Sequence, residues 1–212
     1  MDVIRKNWVP LVVAIVIVAI IAAVLIFMMD NSSALPVKED APSFTLYNTE
    51  GEEISLDNTQ GKVRLVYFFF AHCPDVCLPT NHMLSAVQDG LKEAGVFGEE
   101  ALIMSVTFDP ERDTAEYLRE YMATMNADPT GWHFLRDDDV DAVRAVAEQY
   151  GVTVIPDTTR EGNFIHANLY TLVDKEGRIR KTYSPNEVVV INPENTDQFI
   201  EEIVTDMVAL TK

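Results

Sequence analysis

Hydrophobic and polar positions along this chain fall into three regimes. From Trp8 to Met29 the side chains are apolar and uncharged without interruption, a length that spans ~30 Å as a helix rising ~1.5 Å per residue. The pattern predicts a transmembrane helix within residues 1–30. Because the run exceeds the ~7–15-residue apolar core of a cleaved secretory signal, it reads as an uncleaved anchor. Residues 31–42, 'NSSALPVKEDAP', are polar, contain Pro36 and Pro42 and read as a linker. The third regime, residues 43–212, mixes continuous apolar runs with stripes at helical spacing and is long enough for one domain with its own core.

Within that domain 'KVRLVYFFF' (62–70) and 'ALIMSVTF' (101–108) are too continuously apolar for surface strands and predict strands buried on both faces. From Pro79, a residue suited to a first helical position, Met83, Leu84, Val87 and Leu91 recur at helical spacing. Asp113 with Glu116 three residues later resembles a capping box at the head of a second helix. Val140, Val143, Val146 and Tyr150 mark a third, closed by Gly151. 'NLYTLVDKEGRIRKTY' (168–183) predicts two strands about a turn at Lys175–Gly177, and Phe199, Ile200, Ile203 and Met207 stripe a last amphipathic helix. 'PSFTLYNTEGEEISL' adds a hairpin at the start. Strand, helix, strand, helix, helix, hairpin, helix predicts a parallel pair extended by an antiparallel hairpin, with helices on the faces. This is the order of an α/β, thioredoxin-like domain with an added N-terminal β-hairpin.

Charge changes the picture in two places. Arg5 and Lys6 precede the apolar run while Asp30, Glu39 and Asp40 follow it, which assigns the N-terminus to the cytoplasm and the domain to the outer side of a cell membrane. No Arg-rich, acidic-poor presequence is present, which favours a bacterial membrane over a mitochondrial one. The whole chain has 34 acidic and 16 basic residues, a net charge of -18. That balance argues against nucleic acid as a partner and against electrostatic adhesion to anionic lipid; it suits a solvated, solubilising exterior.

Candidate chemistry concentrates in 'FFFAHCPDVCLPTNHM' (68–83), which holds both cysteines of the chain, Cys73 and Cys77. A disulfide across so short a loop removes little entropy from the unfolded chain, so a purely structural crosslink is a poor explanation. The pair follows the C-terminal end of a core strand, where open α/β sheets place their sites, and precedes a helix whose N-terminus stabilises a thiolate. Three intervening residues set the sulfurs roughly one helical turn apart, compatible with one shared ion or with a disulfide. Spacing leaves both open. Of the four histidines, His72 reads as a solvent-facing loop residue, His82 as an ordinary helical position and His133 as a strand-edge residue without a special task. His166 stands at the entrance to the strand expected beside the one ending at Phe70.

Together 'FFFAHCPDVC', 'SVTFDPERDTAEYLREYM' and 'HANLYTLVDKEGRI' resemble the Sco/SenC family of membrane-anchored copper proteins, over residues 40 to 210. The resemblance implies copper held by Cys73, Cys77 and His166. Two thiolates favour Cu(I), and an added imidazole suits Cu(II) as well; a structural zinc site normally takes four ligands. Members often carry an acidic residue before the histidine, where this chain has Ile165, and Asp75, Asp157 and Glu161 are the candidates for that electrostatic role. The implied function is that of a copper metallochaperone, not an enzyme with a small-molecule substrate. It would assist assembly of the dinuclear copper centre of cytochrome c oxidase, with oxidase subunit II as partner. The alternative is a membrane-anchored thiol-disulfide oxidoreductase acting through Cys73 and Cys77 on cysteines of such a partner.

Overall fold

The largely apolar run early in the domain becomes a strand in the interior of its sheet, β4 (Val63–Phe69), every residue of which is buried. The computed structural model describes residues 12–22, 35–73 and 77–212, and of Cys77 and Leu78 the backbone alone. Residues 12–22 are helical and exposed. The rest of the predicted anchor, from Trp8 to Met29, lies outside the described residues, and among those described no helix is long and apolar enough to cross a membrane.

From Pro36 onward the chain forms a unit of its own. Its elements run β1 (Glu39–Asp40), β2 (Thr45–Tyr47), β3 (Glu53–Ser55), β4, α1 (Cys77–Glu93), β5 (Ala101–Thr107), α2 (Ala115–Thr124), β6 (Trp132–Leu135), α3 (Val140–Gln149), β7 (Val154–Pro156), β8 (Phe164–His166), β9 (Tyr170–Val173), β10 (Arg178–Tyr183) and α4 (Thr196–Leu210). Six strands share one sheet in the order β1-β10-β9-β4-β5-β6. β4, β5 and β6 are parallel; β9, β10 and β1 complete the sheet antiparallel. β2 and β3 form the expected N-terminal hairpin. The mixed α/β fold of thioredoxin-like order is therefore present.

Alternation along β4 divides the core. Val66, Phe68 and Phe70 join Met104, Val106, Phe108, Phe44, Leu46 and Tyr150 in one cluster. The helical stripe Leu84, Val87 and Leu91 of α1 and the stripe Ile203 and Met207 of α4 are buried as their spacing requires. α1 and α4 approach so closely that a Cβ on Gly90 would lie 2.8 Å from a methyl of Val204, which makes glycine a packing requirement there. One member of the predicted apolar strand is not apolar. Arg64 is fully buried, its Nη1 donating to Thr59 O at 3.0 Å, and burial lowers its pKa.

Four expectations need correction. β6 adds a third parallel strand where a pair was expected, because four residues containing His133 are too short to show a strand period. Helix α1 begins at Cys77, two residues before Pro79. Thr114, not Asp113, caps α2: its side chain accepts from Tyr117 N, and Asp113 turns inward. Glu39 and Asp40, within the expected linker, pair with Ile179 and Arg178 at the sheet edge.

Candidate metal centre

β4 delivers the chain to the site. Beyond Phe69 the backbone continues through Phe70 and Ala71, both buried, to Cys73, which is half-buried and packs against the core cluster containing Phe70 and Phe108. Cys77 is the first residue of α1. The cysteines thus flank the passage from a strand end to a helix N-terminus, where backbone N–H groups lack intrahelical partners and favour negative charge.

The segment before Cys73 is locked from a distance. Asp113, fully buried, accepts from Ala71 N at 2.8 Å and from Thr107 Oγ1 at 2.5 Å. His72 Nδ1 lies 2.8 Å from the other carboxylate oxygen. The His72 ring also stacks on Tyr117, centroids 4.2 Å apart and planes 18° apart. His72 is therefore not merely a solvent-facing loop residue: it joins the loop to β5 and α2 through a carboxylate 41 positions away. Aspartate and histidine at such a separation leave no local pattern to read.

His166 ends β8, paired with Val154 of β7. Its ring lies edge-on to Phe108 at 4.9 Å and to Phe70 at 5.9 Å, rings of the same cluster that Cys73 packs against. Nδ1 stands 3.0 Å from Ala167 O; a carbonyl oxygen only accepts, so Nδ1 carries the proton and Nε2 keeps its lone pair. Burial lowers the pKa of the ring, which favours the neutral form a metal requires. Cys73 and His166 thus rest on the same cluster of rings, and thiol and imidazole are both ligand types that copper accepts. Among the described residues no three His, Cys, Asp or Glu side chains converge on one ion; the side chain of Cys77 is not among them.

His82 is exposed on α1, and His133 lies on β6 opposite Met104. Asp157 is occupied: its carboxylate accepts from Thr159 N and Oγ1, Arg160 Nε and Asn163 Nδ2. Those bonds, led by the one from the Thr159 hydroxyl, hold its pKa well below the usual carboxylate range. Glu161 is exposed, and Asp75 lies outside the described residues. The residue before His166 is Ile165, 59% exposed.

Comparison with known proteins covers most of the chain. The family model described as SCO1/SenC matches residues 33–205. The SCO1 protein homolog of Bacillus subtilis (strain 168) is 26% identical over 149 residues, which are 70% of this chain and 76% of that protein. The solution structure of apo Sco1 from Thermus thermophilus is 30% identical with a TM-score of 0.62, covering 84% of this chain and 94% of that one. The crystal structure of Arabidopsis thaliana ScoI with copper bound is 27% identical with a TM-score of 0.60, covering 77% of this chain and 97% of that one.

Proposed function

The chain belongs to the SCO1/SenC family, and from that premise we propose that it binds copper through Cys73, Cys77 and His166 and delivers it during assembly of cytochrome c oxidase. The observation that carries this reading is the placement of His166: its Nδ1 lies 3.0 Å from Ala167 O and its ring rests on the core cluster on which Cys73 also packs. A relative of the same fold has been solved with copper bound.

On this reading copper is cargo and transfer proceeds by ligand exchange. The reduced cysteines supply soft thiolates, and His166 supplies the donor that admits Cu(II) as well as Cu(I). Oxidation of Cys73 and Cys77 to a disulfide removes two donors together and so excludes the metal. The proposed recipient is the dinuclear copper centre of oxidase subunit II. The apolar run from Trp8 to Met29 tethers the domain on the outer side of the cell membrane, raising its local concentration near a membrane-bound oxidase.

The test is a titration of the reduced protein with Cu(I), Cu(II) and Zn(II). One equivalent of copper should bind, and His166→Ala should weaken Cu(II) binding while leaving dithiol exchange nearly unchanged. Absence of binding by either copper ion, or loss of exchange with copper binding intact, would return the chain to the oxidoreductase alternative.

A further inference from the structure

Among the described residues no strand ladder joins His166 to the main sheet. β7 and β8 form a two-stranded sheet of their own, and the directly paired Ile155 and Ile165 on its outer face remain 53% and 59% exposed. Those two side chains therefore contribute little burial to docking the hairpin on the domain.

The inner face is different. Phe164, two positions before His166 and so on the same side of β8, meets Phe70 edge-to-face at 5.2 Å and Phe108 at 5.6 Å. These are the rings against which His166 itself rests. Two guanidinium groups also lie over Phe164, that of Arg144 at 5.1 Å and that of Arg112 at 5.8 Å from its centroid. Both are held from elsewhere. Arg112 bonds to Asp109 through Nε and extends over Phe70, while Arg144, on α3, donates Nε to Phe108 O at 3.4 Å. Arg112 also reaches the loop of the hairpin, where a Cβ on Gly162 would strike its Nη1 at 2.7 Å. Edge-to-face rings and cations over an aromatic face are both directional contacts, so this cradle restricts the angle of the hairpin as well as its attachment.

We infer that Phe164 is the positioning residue for His166: its ring, seated among Phe70, Phe108, Arg112 and Arg144, sets the direction in which His166 presents Nε2. The inference rests on the copper reading for its consequence, though the seating of Phe164 on the two rings that His166 also meets does not need the metal. Residues that orient a metal ligand typically change affinity ~10–100-fold when removed.

The experiment is a double-mutant cycle with a metal-free readout. Cu(II) affinity is measured by competition for wild type, Phe164→Ala, His166→Ala and the double variant. Phe164→Ala should weaken binding ~10–100-fold and cause no further loss in the His166→Ala background. The reduction potential of the Cys73–Cys77 couple should stay unchanged, which a general loss of structure would not allow. Phe164→Tyr, which keeps the ring, should restore affinity. In the metal-free protein the His166 ring protons, shifted by Phe70 and Phe108, should move toward random-coil values in Phe164→Ala. If Phe164→Ala fails to fold, Arg144→Gln, which leaves the rings in place, should produce the same two changes at smaller amplitude. Unaltered His166 ring shifts, or an equal loss of affinity with and without His166, overturns the inference. If wild type binds no copper, or His166→Ala leaves affinity unchanged, the copper reading fails, and the ring shifts still decide whether Phe164 orients His166.

Discussion

β4, which leads to Cys73, and the β7–β8 hairpin, which carries His166, are held by different means. β4 pairs with β5 along Val63–Phe69 and with β9 along Arg64–Tyr67, and all seven of its residues are buried. Its position follows from backbone hydrogen bonds on two sides and apolar burial on two faces. Among the described residues the hairpin pairs only with itself, and it docks on the core cluster through Val154 and the ring of Phe164. One half of the candidate site is thus built into the sheet. The other half is placed by side-chain contacts with the core rings Phe70 and Phe108.

The largest effect that tests this contrast is on stability. Phe68, 1% exposed and 5.4 Å from the ring of Tyr150, should cost ~3–5 kcal/mol when changed to Ala. Ile155→Ala on the exposed face of the hairpin should stay within ~0.5 kcal/mol. Denaturant unfolding of the two variants gives both numbers, and comparable losses would break the contrast.

A middle-sized effect concerns the passage from β4 to Cys73. Asp113→Ala deprives the Ala71 amide and the Thr107 hydroxyl of their acceptor, and a buried donor left unsatisfied costs ~1–3 kcal/mol. Hydrogen exchange should quicken at Ala71 while the hairpin amides of residues 164–166 keep their wild-type rates. Equal acceleration in both places would show the two halves to be coupled.

The smallest effect is a pH response of the hairpin. Hydrogen bonds from Thr159, Arg160 and Asn163 depress the pKa of Asp157 in the folded protein. A carboxylate depressed on folding contributes stability above its unfolded pKa of ~3.9, and that contribution is lost as pH falls through ~3.9 and below. Amide protection in residues 157–166, measured relative to the intrinsic exchange rate at each pH, should accordingly fall between about pH 5 and 2, ahead of protection in β4. Asp157→Asn should remove most of that pH dependence; an unchanged profile would show that the loop does not depend on this carboxylate.

Several elements are legible in the residue pattern. β4 and β5 are continuous apolar runs, α1, α3 and α4 show stripes at helical spacing, and Gly151, with φ +80°, stands where α3 was expected to stop. Cys73 and Cys77 fall where a strand-end site was expected, and His166, named through a family resemblance, lies against the core cluster that Cys73 joins. Other features are not legible. β6 and the strands of the β7–β8 hairpin are three or four residues long, too short for a period to emerge. Arg64 is hidden inside an apolar run because a buried guanidinium is acceptable only once particular carbonyls, here that of Thr59, are brought to it.

The line between these two groups is the range over which each force acts. Burial periodicity and turn chemistry are properties of neighbouring residues, so strands, helices and the junction that holds the cysteines can be read from the chain in one dimension. Directional contacts between distant side chains are not. Asp113 reaches His72 across 41 positions, and Phe164 meets Phe70 and Phe108 because β4, β5 and the hairpin end at the same place. Those contacts exist once strand order has brought the partners within a few ångströms, and it is they that turn a cysteine pair and a distant histidine into a candidate site.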